Sequence, residues 1–256
     1  MKLYFKEIGE GKPILFLHGL FGMSDNWQSF AKRVADLGYK CILIDQRDHG
    51  RSPWTNEFNY EILAKDILEL CDFLALDKYS ILGHSMGGKT AMSIAKYAED
   101  HLLKLIIVDI APKRYRPGHD EIFKALHALP LLTAENRNEL YEVLKTELDD
   151  EMVVQFLMKN IQRNAEGTGF SIKFNLELLE REYKNIIEDV FIEDRISTQT
   201  LFCRGELSPY ILQEDFDKIN QTFRHVKIET IPKAGHWIHA DQPDLLFKSV
   251  AVFLNT

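Results

Sequence analysis

The sequence predicts an α/β protein whose mostly parallel central sheet carries helices on both faces and is interrupted by a helical insertion. Three observations predict it. Short apolar runs alternate with segments of helical spacing over residues 13–111. The alternation breaks at Pro112 and resumes near residue 195. A serine bracketed by glycines stands between one apolar run and the helix that follows it.

The elements follow in chain order. "KLYF" alternates weakly and "GEG" supplies a turn. "PILFLHG" is a continuous apolar run ending in glycine, as a strand buried on both faces requires. In "SDNWQSFAKRVADLG", Trp27, Phe30, Val34 and Leu37 recur at helical spacing, and Gly38 ends the helix. "KCILID" is a strand, "YEILAKDILELCDFLAL" an amphipathic helix, "YSILG" a strand, "KTAMSIAKYAED" a helix and "LKLIIVDIA" a strand. Strict alternation of this kind implies right-handed crossovers between parallel strands.

Residues 112–194 read as a helical cap inserted in a core made of residues 1–111 and 195–256. "DEIFKALHAL", "ENRNELYEVLKTEL" and "DEMVVQFLMKNI" are charged and helix-forming, with a β-like interlude at "GFSIKFN". "TQTLFCRG" then resumes as a strand, "YILQEDFDKINQTF" as a helix, "VKIETI" as a strand and "DQPDLLFKSVAVFL" as a closing helix. An insertion at the carboxyl ends of the strands sits over the usual ligand crevice of such a sheet.

Composition narrows the function classes. The net charge of −8 argues against a general nucleic-acid partner, which carries a basic face. Cys41, Cys71 and Cys203 each lie in apolar stretches, as free thiols do in a reducing compartment. The N-terminal segment "MKLYFKEIGEGKP" lacks the apolar run of a signal peptide, and no stretch is long enough to span a bilayer. A cytoplasmic location is the expectation. No set of residues has metal-ligand spacing, and no phosphate loop or dinucleotide fingerprint is present, so no metal or cofactor is expected. No sequence feature assigns an oligomeric state.

Chemistry concentrates in "YSILGHSMGGKTAMSIAKYA". Gly83-His84-Ser85-Met86-Gly87 fits the Gly-x-Ser-x-Gly pattern between a strand and a helix. The serine there stands on a sharp turn with its hydroxyl clear of the sheet. Residues two before and two after it must be small. The helix beginning at the nucleophile aims its N-terminal amides at a developing anion. In "LFLHGLFG" a strand ends at His18-Gly19, and the loop beyond lies where an oxyanion-hole amide is supplied. The donors expected are the backbone amides of Leu20 and Met86, with Phe21 as the substitute for Leu20. His18 reads as structural. In "PKAGHWIHADQP", His236 follows a strand and a glycine and keeps the order serine, acid, histidine. His239 is its rival.

Taken together, "HGLFG", "DQRDHGRSP", "GHSMGGK", "VDIAP", "SPY" and "AGHWIHA" resemble the α/β-hydrolase superfamily over essentially the whole chain. More narrowly they look like the YbfF-like branch of small esterases and acyl thioesterases, whose mammalian relatives are mitochondrial lipid hydrolases. The resemblance implies the α/β-hydrolase fold and a serine hydrolase of carboxylic esters or acyl thioesters, with a small-molecule substrate of short to medium acyl chain. The superfamily pattern places the acid on the loop after "TLFCRG", where Ser208 stands and cannot carry charge. Asp109, at the end of "LKLIIVD", and Glu206 are the two carboxylates able to replace it. The resemblance to the YbfF-like branch points to Asp109, at the aspartate of "DIAP". The expected catalytic residues are therefore Ser85, Asp109 and His236.

Other residues have quieter readings. "DQRDHGRSP" reads as scaffold, with Asp45 preceding the serine and so breaking the expected order. Lys113, Arg114 and Arg116 form a solvated loop, or attract an anionic group if they face the site mouth. Lys89 is a first-turn helix residue without assigned chemistry. Phe21, His84, Phe123 and Trp237 are candidate substrate contacts, and Phe156, Phe170 and Phe174 are aromatic candidates for an acyl pocket or simply core. A receptor with slow turnover and a carbon–carbon hydrolase or lyase remain rival functions on the same fold.

Overall fold

In the computed structural model of the chain, which describes residues 1–190 and 192–256, the apolar runs form one seven-stranded sheet. Strands β1 (Tyr4–Ile8), β2 (Lys12–Leu17), β3 (Tyr39–Asp45), β4 (Tyr79–His84) and β5 (Leu102–Val108) precede the insertion. A hairpin, β6 (Ile161–Arg163) and β7 (Phe170–Ile172), lies within it, and β8 (Thr200–Gly205) and β9 (Val226–Ile231) follow. Across the sheet the order is β1-β3-β2-β4-β5-β8-β9. Only β1 runs antiparallel to its neighbour β3.

The helices are α1 (Gln28–Ala35), α2 (Tyr60–Phe73), α3 (Met86–Ala98), α4 (Asp120–His127), α5 (Arg137–Glu147), α6 (Glu151–Met158), α7 (Leu176–Arg181), α8 (Tyr183–Ile187), α9 (Asp215–Thr222), α10 (Ile238–Asp241) and α11 (Pro243–Asn255). Several start at side-chain caps, since Asn59, Asn136 and Asp150 each accept amide protons from the first turn.

Strand periodicity sends alternate residues to opposite faces. Leu15 and Leu17 of β2, with Ile42, Ile81 and Ile107, pack under α2 and α3. Ile14 and Phe16, with Leu43, Leu82 and Val108, pack under α1 and α11. Helices cover both faces, which is why the central strands read as unbroken apolar runs. Cys41, Cys71 and Cys203 are free and buried in these layers. Burial pushes the Cys41 and Cys71 thiols up to about 12, so they are packing residues, not nucleophiles.

The observed elements depart from the expected ones in three places. The helix expected through Ile161 stops at Met158, because Ile161 pairs with Ile172 in the hairpin. The helix expected from Tyr210 begins only at Asp215, whose carboxylate accepts the Leu212 amide at 2.8 Å. Helix α3 begins at Met86, three residues before the expected helical run from Lys89 but directly after Ser85, where the turn pattern placed its start, so its first turn includes both glycines after the serine.

The segment between β5 and β8 contributes α4 to α8, and residue 191 of the expected cap lies outside the described residues. It is tied to α2, α3 and the loop after β3 by polar contacts. Tyr60 Oη donates to Ile186 O at 2.6 Å, and Asn175 N donates to Asp48 O at 2.9 Å. Lys89, buried beneath the segment, donates to the carbonyls of Ile187, at 3.1 Å, and Glu188. Burial among Tyr60 and Tyr115 pushes its amine down to about 7. Sequence spacing left Lys89 without a task; the structure makes it the tether of α8.

Candidate active site

Parallel strands end at one edge of the sheet. The residues following β2, β4, β5, β8 and β9 are therefore gathered there despite their separation in sequence. Ser85 sits between β4 and α3 at φ 51° and ψ −118°. A non-glycine residue in that region is strained by about 1–3 kcal/mol. Tight packing holds it: a Cβ on Gly83 would lie 2.2 Å from Gly87 O, and one on Gly87 would lie 2.3 Å from Leu17 O. The strain lifts the serine out of the helix line. Ser85 is partly exposed, while its neighbours His84 and Met86 are buried.

The loop after β9 delivers His236 to the same edge. Its Nδ1 donates to Asp109 Oδ2 at 2.8 Å. Asp109 follows β5 directly, is wholly buried and also has a positive φ of 52°. Its Oδ1 accepts the Gly205 amide at 2.8 Å, and Oδ2 also accepts the Ser208 hydroxyl. Of the two candidate acids, then, Asp109 touches the imidazole. Glu206 is exposed and accepts the Lys233 amide at 2.8 Å. Ser208, which in the sequence marks only a missing charge, donates a hydrogen bond to the Asp109 carboxylate.

The loop after β2 faces the serine. Phe21 N donates to His49 Nε2 at 3.2 Å, so that amide is committed. Among the described residues the amides of Leu20 and Met86 have no acceptor, and both residues line cavities that include Ser85. His18 is structural: its Nε2 accepts the Gln46 amide at 3.0 Å and its Nδ1 bonds Gly19 O at 2.9 Å. Asp45 is likewise a scaffold residue, accepting the amides of Ser24 at 2.6 Å and Arg51 at 2.9 Å.

Two spaces meet at Ser85. A narrow recess is walled by Phe21, Trp27, His84, Phe156, His236 and Trp237. A larger chamber of ≈ 770 Å³ is walled by Met86, Lys89, Tyr115, Arg116, Tyr183 and Tyr210. Phe21, His84 and Trp237, three of the expected substrate contacts, line the recess. Phe123 does not: it is buried against the Phe21 ring, 5.5 Å away, and lines neither space. Phe170 and Phe174 are buried packing residues too. Lys113, Arg114 and Arg116 face the chamber, but Lys113 pairs with Asp215 at 2.6 Å and Arg114 approaches Glu188 at 3.7 Å.

Two features escaped the sequence reading. The Tyr210 ring stacks on His236 at 3.8 Å between centroids. His119, on the segment between β5 and β8, lines both spaces and bonds Tyr183 Oη. No periodicity marks either residue; each is placed by a loop.

A match to the α/β hydrolase fold family covers residues 12–243. The chain belongs to the α/β-hydrolase family. The hydrolase is 34% identical to the esterase YbfF of Escherichia coli over 246 residues, covering 95% of this chain and 93% of that protein. It is 33% identical over 256 residues to the sn-1-specific diacylglycerol lipase ABHD11 of Danio rerio, covering 96% and 79%. A solved marine microorganism esterase superposes with a TM-score of 0.96 at 38% identity, covering 98% of this chain and 99% of that one. This places the hydrolase in the YbfF-like esterase branch, and it is a carboxylic ester hydrolase. No helix among the described residues is long and apolar enough to cross a membrane.

The hydrolase surrounds its site with neutral histidines. Burial pushes His18 and His119 down to about 4, and His49 and His239 down to about 3. Unfolding returns each ring to about 6.5, so below that pH the unfolded chain binds more protons. Stability is therefore full above pH 6.5 and declines as the pH falls toward 4. His18 and His49, which are fully buried, each contribute a loss of about 2 kcal/mol by pH 5, and the half-buried His119 and His239 less. Urea denaturation at pH 7.5 and pH 5 should show a lower midpoint in acid; equal midpoints would contradict the burial of these rings.

Proposed function

We propose that Ser85, His236 and Asp109 are the nucleophile, base and orienting acid of a two-step hydrolysis of carboxylic esters or acyl thioesters. The observation that carries the reading is the His236–Asp109 hydrogen bond of 2.8 Å beside a serine held on a strained turn. Ser85 Oγ attacks the carbonyl carbon while His236 Nε2 takes its proton. The Leu20 and Met86 amides receive the oxyanion, and each such donor contributes about 3–4 kcal/mol to the transition state. His236 returns the proton to the departing alcohol or thiol. Water then attacks the acyl-enzyme with His236 again as base. His236 lines the recess, so the leaving group belongs there and the acyl group in the chamber.

Residues 112–194 act as a cap that covers the strand ends and encloses the acyl chamber. Short to medium chains fill its apolar part; longer ones must run out past Arg114, Arg116 and Glu214 at the rim. The three buried thiols and the acidic net charge suit a cytosolic enzyme of small molecules, without a nucleic-acid partner. A series of 4-nitrophenyl esters and acyl-coenzyme A thioesters, with Ser85→Ala as blank, tests this. Turnover should peak at short to medium chains and vanish in the blank. Activity that is flat or rising with chain length would reject the acyl chamber, and an active blank would reject the nucleophile.

A further inference from the structure

We infer that His84 is a positioning residue that ties the catalytic base to the nucleophile through the main chain of His236; this rests on the reading just proposed. His84 ends β4 and immediately precedes Ser85, and it is buried, at 4% exposure. Its Nε2 lies 2.9 Å from the carbonyl oxygen of His236, 152 residues away. A carbonyl only accepts, so Nε2 carries the proton and donates. Its Nδ1 is turned toward Gly19, where a Cβ would come within 3.0 Å of it.

The geometry gives His236 three separate holds. Asp109 fixes the far end of the ring through Nδ1. Tyr210 covers one ring face. Neither holds the main chain of residue 236; on either side of it Gly235 N donates to Asp241 Oδ2 at 2.7 Å, and Trp237 O accepts the amides of Ala240 at 2.8 Å and Asp241 at 2.9 Å. His84 supplies the bond at residue 236 itself. The residue before the nucleophile thus grips the residue bearing the base, and a shift of the β4 end carries both together.

Burial first, and then the rings of His236, His239 and His18, hold the His84 imidazole well below the ordinary histidine range and keep it a neutral donor. His236 and His239 face it with ring centroids 4.7 and 5.0 Å away, and Trp27 stands edge-on at 6.3 Å. A cationic ring among these neighbours would repel the imidazolium that His236 becomes during turnover. An amide side chain of glutamine can present an N–H at the reach of Nε2. Leucine and phenylalanine fill volume but cannot donate.

The test compares His84→Gln, His84→Leu and His84→Phe with the parent, using kcat and KM on one activated short-chain ester and melting curves. A misplacement of about 1 Å costs about 10²-fold in rate. Leu and Phe should therefore lose about 10²-fold in kcat with little change in KM, while Gln recovers most of it. If Leu does not fold, Phe and Gln carry the comparison. Equal losses in all three variants, or full kcat in Leu or Phe, would each overturn the assignment. Ser85→Ala run alongside separates the two claims: an active Ser85→Ala rejects the nucleophile, whereas an inactive one beside an unaffected His84→Leu rejects only the tie.

Discussion

Asp109→Asn should lower kcat about 10⁴-fold, while Glu206→Gln leaves it close to the parent value. The first substitution keeps size and shape. The new side-chain carbonyl could still accept the Gly205 amide, but its NH₂ would confront both the Ser208 hydroxyl and His236 Nδ1–H, which in the parent donate to Oδ2. His236 could answer only by moving its proton to Nε2, the atom that must accept from Ser85. The wrong tautomer then stops the attack without disturbing the fold. Glu206 faces solvent, and the glutamine oxygen can take the Lys233 amide in its place. Initial rates on one activated ester decide it. The opposite ranking would move the acid to Glu206.

Much of this site was legible in the sequence because its chemistry is bound to local backbone requirements. Ser85 had to sit between small residues, and Gly83 and Gly87 announce that turn; their missing side chains are where Gly87 O and Leu17 O approach. The continuous apolar runs likewise foretell strands buried on both faces, and the sheet is parallel except for β1. What was not legible depends on long-range contacts. Residue types alone left two carboxylates able to hold His236, and the expectation of Asp109 rested on the resemblance; the strand order, with β5 beside β8, is what brings Asp109 under the ring while Glu206 faces outward. Tyr210 sat in a stretch of helical composition; the Asp215 carboxylate holds the Leu212 amide and the helix starts later, which frees Tyr210 to lie on the imidazole. Phe123 had the right chemistry for an acyl pocket but packs against Phe21 and Tyr183 instead. Composition cannot separate an aromatic that lines a cavity from one that supports its wall.

The largest effect belongs to Ser85. Replacing a triad serine removes covalent catalysis entirely and costs about 10⁶-fold in kcat, with residual rate from the oxyanion site and binding alone. Stability should not suffer, and the strained φ of 51° is if anything retained by packing around Gly83 and Gly87. Ser85→Ala should therefore melt near the parent temperature while losing turnover. That separation matters, because a loss of activity through unfolding would say nothing about chemistry.

The most direct measurement is covalent labelling with an alkyl fluorophosphonate, followed by intact mass and peptide mapping. One adduct per chain on the peptide containing Ser85, formed slowly or not at all in Asp109→Asn and absent from Ser85→Ala, is the expected result. An adduct on another residue, or an unlabelled chain that still hydrolyses esters at the parent rate, would contradict the nucleophile assignment.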